Sequence, residues 1–362
     1  MSTLVNRAGP FTHTATTVNS TMVWVMVALL PATAYGLWLF GWPAVILFFI
    51  TLGSALAIEA VMLALLGQPV GARLMDGSAL LTGWLLALSL PPWAPWWIGV
   101  LGSFCAIVIG KHLFGGLGQN LFNPAMVARI VLLISFPLQM TLWAAPAPLG
   151  SEAAPSFMQS VAYISGQTPV PEHMSAATSL GLLKTEVSRG ISVEKSTEKL
   201  PPLFQMATGK ESGSMGESAA VLLLAGGLLL MVLRIISWHI PVALLGTLGA
   251  LAALSHALDP SRFASMPIHL LAGASVLGAF FIATDYVTSP VSRSGQLLFG
   301  AGIGALTWVI RSLGSYPEGL AFAVVLMNAL VPLIDRGFRP RVFGRSWRGK
   351  SLEVKSQPRI HI

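Results

Sequence analysis

The segment SALLTGWLLALSLPP, residues 78 to 92, decides the architecture of this chain. It is apolar but too short for the roughly 20 residues that cross a hydrocarbon core. It also stops at Pro91-Pro92, where a helix cannot continue. Nine other apolar windows are long enough to span, at about 21–40, 43–66, 95–112, 124–145, 217–236, 240–257, 264–284, 295–312 and 318–335. Counted as an interrupted tenth span, residues 78–92 make the number even and put both termini on one side. Composition agrees, because 54% of the 362 residues are hydrophobic and 10% charged, which excludes a soluble fold.

Charge sets the orientation. The chain carries a net +7, and from Asp335 onward eight Lys/Arg face two acids. Beside a membrane span, Arg336, Arg339, Arg341, Arg345, Arg348 and Lys350 mark the cytoplasmic side rather than a nucleic-acid surface. Arg73, Lys111, Arg234 and Arg293 are then expected on cytoplasmic turns, and Trp93, Trp96 and Trp97 in an outer aromatic belt. The resulting plan is a cytoplasmic segment 1–20, a first membrane unit 21–145, an external loop 146–216, a second membrane unit 217–335 and a basic tail 336–362. The first residues lack the order of a secretory signal, so the N-terminus is expected to be retained. A single cysteine, Cys105, permits neither an internal disulfide nor an iron–sulfur cluster held by this chain alone. Any electrons crossing the protein must therefore travel on flavin or quinone.

The two membrane units echo each other. At an offset of 200, Gly102 matches Gly302, Lys111 matches Arg311 and Phe122 matches Phe322. Five spans separate equivalent helices, so the halves run in opposite directions, a plan in which broken helices meet near the midplane. The expected fold is an all-α integral membrane protein of about ten transmembrane helices in two inverted repeats, joined by an extracytoplasmic loop.

Three stretches carry candidate chemistry. In GKHLFGGLGQNLFNPAM, Gly110 to Met126, glycines permit close backbone approach, and Asn120 and Asn123 offer amides suited to a heteroaromatic edge or a hydrated ion. A tight turn followed by an Asn-Pro helix start is the competing reading. In FIATDYVTSPVSRSG, Thr284 and Asp285, with Thr288 and Ser289, end a span where an acid either takes a cation or proton or caps a helix break. Glu59, deep in the second span, either serves function or satisfies a neighbouring helix. His239, His256 and His269 lack metal-ligand spacing and read as interfacial anchors, and no nucleotide fingerprint follows a strand. The third stretch is SAAT, residues 175–178, on the external loop, where residue chemistry alone gives Thr178 no special nucleophilicity.

Taken together, FGGLGQNLFNPAM, FIATDYVTSP, SAAT and the ten-span plan resemble the RnfD/NqrB family, whose members belong to Rnf electron-transport complexes and to the sodium-pumping NADH:quinone reductase. The likeness covers nearly the whole chain. It implies FMN joined by a phosphoester to Thr178, within the motif begun by Ser175 and preceded by Glu172 where the family has Asp, and installed by a flavin transferase. It implies a second, noncovalent flavin, riboflavin, near Asn120 and Asn123, and a urea-transporter-like inverted repeat. The implied activity is that of one component of an ion-translocating oxidoreductase of the ferredoxin:NAD type in the bacterial inner membrane. Such a component works beside flavin and iron–sulfur proteins and couples electron flow to Na⁺ or H⁺. A flavin-free solute channel or transporter of the same fold is the alternative.

Overall fold

In the computed structural model, which describes residues 17–171, 174–217 and 219–339, the first two spans form one 48-residue helical run, α1 (Val18–Leu65). The run folds back at Gly41, whose φ of 76° only glycine adopts cheaply, with Pro43 just beyond it. Asn19 Nδ2 donates to Met75 O at 2.6 Å, so both ends of the run meet at one end of the molecule. At the other end Leu39 O accepts from Ala147 N at 3.0 Å. Glu172 and the tail from Arg341 to Lys350 lie outside the described residues.

A short turn helix, α2 (Val70–Leu74), leads to α3 (Ser78–Ser89), which ends before the two prolines as the sequence predicts. The next span starts as α4 (Trp96–Phe104), widens into a π-helix over Cys105–Lys111 and closes as a 3₁₀ turn over His112–Phe114. The predicted span 124–145 is not a single helix. It breaks after the 12 residues of α5 (Pro124–Ser135), because Pro137 cannot continue the helix and starts α6 (Pro137–Thr141) instead.

The loop is folded rather than extended. It carries α7 (Phe157–Ser165), α8 (Ser179–Ser188), α9 (Val193–Thr197) and α10 (Leu203–Thr208). Leu180, Leu183, Val193 and Met206 pack with Ala264, Ile268 and Ala272 into a small core of their own. Trp93 joins loop to membrane body. It is buried, donates to Phe40 O at 3.0 Å and stacks on Tyr163, whereas Trp96 is the exposed member of the expected belt.

In the second half α11 (Ala220–Val232) is shorter than the predicted 217–236, and α12 (His239–Leu258) is full length. The predicted span 264–284 is interrupted, as α13 (Met266–Leu271), α14 (Ser275–Leu277) and a π-helix over Gly278–Ile282. α15 (Arg293–Leu313) and α16 (Leu320–Gly337) follow. Among the described residues five helical runs are long and apolar enough to cross a membrane, namely α1, 96–114, α12, α15 and α16. The order of long, broken and long elements recurs in the second half. Gly102 packs on Leu132 and Gly302 on Met327, while Phe122 meets Phe114 and Phe322 meets Tyr316.

Without a hydrophobic drive between helices in lipid, close backbone approach through small residues holds such a bundle. α1 and α11 cross at Gly226, where an added Cβ would collide with the Ala28 carbonyl. Gly226→Ala should therefore cost roughly 1–3 kcal/mol through overpacking. Gly246→Ala, with nothing within 4 Å of the new methyl, should be neutral or mildly stabilising. Thermal melting of the detergent-purified protein checks both.

Candidate functional site

Two polar centres lie at opposite ends of the bundle. The first is a cavity of about 90 Å³ at the end where Asn19 meets Met75, and it gathers residues from both halves. Asn120, Asn123, Thr284 and Asp285 all line it, so the structure brings together the candidates of two separate sequence motifs. Lys111, Ser78, Phe280, Phe281 and Tyr286 complete much of the wall.

Each polar group there has a structural task. Asn123 caps α5 by accepting from Met126 N at 3.3 Å, and its Nδ2 donates to Ile282 O at 3.4 Å, at the end of the second π-helix. Asn120 Nδ2 donates to Phe122 O at 3.2 Å. Thr284 Oγ1 donates to Phe280 O at 2.6 Å, which satisfies a carbonyl within the π-helix. Asp285, half-buried, accepts from Val287 N at 3.3 Å and from Thr288 Oγ1 at 3.2 Å. The capping readings of Asn123 and Asp285 are thus realised, and both residues still face the cavity.

Lys111 is not on a turn. It is the last residue of the first π-helix and is 3% exposed, with Nζ 2.7 Å from Glu59 Oε1 and 2.8 Å from Ser78 Oγ. His112 Nε2 lies 2.9 Å from the other Glu59 oxygen. Glu59 therefore satisfies neighbouring helices. His269 is no interfacial anchor either, since it is 4% exposed and its carbonyl accepts from Arg311 Nη1 at 2.7 Å. Among the described residues no group of three or more His, Cys, Asp or Glu could hold a metal ion.

The second centre is on the loop. Thr178 is the N-cap of α8, half-buried, and its Oγ1 accepts from Gly181 N at 3.0 Å. The strand-like pairing of Ala144 with Ser175 fixes the approach, with Ala145 N to Met174 O at 2.8 Å and Ala176 N to Trp143 O at 3.0 Å. Ser179, next to Thr178, donates its hydroxyl to Glu211 and pins the start of the helix. Ser175 is exposed and does not line the small cavity that Thr178 shares with Arg129, Thr141, Tyr316 and Glu318. A helix N-terminus favours an anion, so a phosphoryl group on this hydroxyl fits its surroundings. At the other centre the amides suit a ring edge, but the volume of about 90 Å³ is below the about 150 Å³ that holds a benzene-sized guest. A complete flavin ring would need those walls to part.

Sequence reasoning missed Arg129, Glu211, Glu217 and Glu318, all of them largely buried near Thr178. Arg129 left a legible signal, a cation amid the apolar run PAMVARIVLLIS, where charge is costly and rarely idle.

A multi-spanning, all-helical bundle with interrupted helices meeting at a polar cavity, and a folded hydroxyl-bearing loop at the far end, defines a polytopic integral membrane protein. Residues 5–344 match the family described as NQR2, RnfD, RnfE, and the chain belongs to that family. It is similar to the RnfD-type component of the ion-translocating oxidoreductase complex of Stutzerimonas stutzeri, 56% identical over 92% of this chain and 94% of the relative. The corresponding proteins of Halorhodospira halophila and Rhodobacter capsulatus are each 50% identical, covering 98% and 92% of this chain and 99% and 92% of their own lengths.

Burial raises the Glu211 carboxyl to about 7, against the lowering effect of its bond from Ser179. The folded value lies above the ordinary one, so its contribution to stability is complete below about pH 4.5 and is lost as pH rises through about 7. Glu211→Gln should melt higher than wild type at pH 8, by roughly 1–3 kcal/mol, and match it near pH 4.5. Melting curves across that range provide the check.

Proposed function

We propose that this chain is the RnfD-type membrane component of an ion-translocating oxidoreductase complex of the ferredoxin:NAD type, and that it carries FMN as a phosphoester on Thr178. Family membership and the names of its close relatives support the first part. One observation carries the second. Thr178 offers its hydroxyl at the N-terminus of a ten-residue helix, on a loop folded firmly enough to orient it. When bound, the flavin supplies reversible one- and two-electron transfer, and the protein supplies placement and electrostatics. The N-terminal N–H groups of α8 would hold the phosphoryl charge. The Ser179–Glu211 bond and the Ala144–Ser175 pairing would keep the attachment point in register.

In this reading the loop end is periplasmic, both termini are cytoplasmic and the membrane is the bacterial inner membrane. Partners are the flavin and iron–sulfur proteins of the complex and the flavin transferase that loads Thr178. The polar cavity at the opposite end is the proposed entry for Na⁺ or H⁺, with Asp285, Thr284 and Lys111 in its wall. A noncovalent riboflavin there would have Asn120 within reach once the walls part. A flavin-free channel of the same fold would purify colourless.

Thr178→Ala should abolish the ultraviolet-fluorescent band of this protein on a denaturing gel, while Ser175→Ala leaves it in place. As the N-cap of α8, Thr178 contributes roughly 0.5–2 kcal/mol, a fraction of the stability of a folded domain, so folding should survive. Persisting covalent flavin on the Thr178→Ala protein would falsify the site.

The cavity is tested in reconstituted complex. Asp285→Asn keeps the size and most bonds but removes the charge, and it should slow ion uptake into vesicles several-fold without changing assembly. Asn120→Leu should lower extractable riboflavin. Uptake at the wild-type rate would leave Asp285 a purely structural role, and unchanged riboflavin would remove Asn120 from any flavin site.

A further inference from the structure

Arg129 is a buried cation that its neighbours do not satisfy. It sits in α5, 7% exposed, and its ion-pair partner, Glu217, is 3.9 Å away from Nη2 to Oε1, beyond hydrogen-bond reach. Its Nη1 is sealed from solvent and has no hydrogen-bond partner among the described residues. Buried charge persists in proteins when it is paired and hydrogen-bonded, so the missing partner is an anion or a strong acceptor. Glu318 lines the same cavity but is committed to Arg311.

The space beside Arg129 is small, about 30 Å³, which is room for about two waters or a group of phosphoryl size. Thr178 opens onto it as the N-cap of α8, whose first-turn N–H groups have no partners within the helix. A planar guanidinium and a helix N-terminus are the two protein devices best matched to phosphoryl oxygens. Here they meet at one hydroxyl, from a membrane half-helix on one side and the loop on the other.

We propose that Arg129 is the counter-ion of a phosphoryl group esterified to Thr178, with Nη1 and the N-terminus of α8 holding the anionic diester between them. The inference rests on the Thr178 attachment above and adds a positioning residue to it. It also accounts for the buried Nη1 of Arg129 that has no hydrogen-bond partner among the described residues. Glu217 balances the charge of Arg129 from 3.9 Å but leaves Nη1 without an acceptor, and the esterified phosphoryl supplies one.

A double-variant cycle on the assembled complex tests this. Wild type, Thr178→Ala, Arg129→Met and the pair are each scored for covalent flavin fluorescence on a denaturing gel and for the melting temperature of this protein. Arg129→Met should lower the melting temperature of the flavin-bearing protein by roughly 2–4 °C. In the Thr178→Ala background the same change should be clearly smaller or reversed, because it then removes a buried cation whose Nη1 has no acceptor. Arg129→Lys keeps the charge without the planar fork and should fall between the two, and it carries the cycle if Arg129→Met does not accumulate. Equal shifts in both backgrounds overturn the proposal and leave Glu217, or a lipid phosphate unrelated to Thr178, as the partner of Arg129. Covalent flavin missing from wild type, or retained on Thr178→Ala, overturns the attachment itself, so the two failures are distinguishable.

Discussion

The bond on which the membrane region depends joins its two halves through a pair of asparagines. Asn328, on α16, accepts from Asn123 N at 3.1 Å and donates its own amide to Thr288 O at 2.8 Å. Asn123 in turn caps α5 and reaches Ile282 O. Every backbone N–H and C=O in a lipid slab must find a partner inside the protein, and broken helices create orphans where they stop. The asparagine pair collects those orphans from α5, from the second π-helix and from the turn after it. Water cannot do so instead, because Asn123 is 3% exposed and Asn328 and Thr288 are each 2% exposed. The polar cavity exists because this junction holds the half-helix ends apart while keeping them satisfied.

The same constraint explains how much of the molecule was legible in its sequence. Pro31 and Pro332 lie inside α1 and α16 without ending them, but the doubled Pro91-Pro92 ends α3 as the sequence predicts. Gly41 separates the first two spans, which the hydropathy windows had already divided at that point. Pro137 was equally visible, yet the apolar residues on both sides of it read as one span. Hydropathy registers burial in lipid or protein and is blind to a break between them. Lys111 was misplaced for a related reason. A cation near the end of a span usually marks a surface, and only its partners Glu59 and Ser78, 52 and 33 positions away in the chain, draw it inside. The Asn and Asp motifs were found because their residue types are unusual in apolar sequence. That they line one cavity required the fold.

Lys111 and Arg311 clarify the plan of the whole. They are 200 positions apart, both are buried, and each ends a long helix while pairing with an acid from another element, Glu59 or Glu318. Lys111 lines the cavity at the Asn19–Met75 end, whereas the backbone of Arg311 accepts from Lys184 of the loop at the other. Matching residues at opposite ends are what the inverted arrangement expected from the sequence would produce. The charges at each end then differ in purpose. Around Lys111 the pair is closed, since Lys111 reaches both Glu59 and Ser78 and His112 meets the remaining Glu59 oxygen. Around Arg129 it is open, and that asymmetry is what distinguishes a structural ion pair from a site awaiting an anion.

The separation of the two centres constrains any mechanism. α15 runs from Arg293, beside the turn that follows Asp285, to Leu313, beside the Arg311–Glu318 pair next to the Thr178 cavity, and its 21 residues measure about 30 Å. A group on Thr178 cannot touch an ion at Asp285 over that distance. Communication between them must pass through packed elements that have contacts at both ends, or through other proteins of a complex. α15 is suited to the first route. Its face against α12 is glycine-rich, with Gly300 and Gly304 lying against the α12 backbone, so the pair can shift as a unit only if α12 moves with it. A change of charge near Glu318 would act on Arg311 and hence on the end of α15. The far end of the same helix donates from Gln296 Nε2 to Pro290 O at 3.1 Å, within the segment that closes the Asp285 turn. The α12–α15 pair is thus the element of this chain with contacts beside both centres.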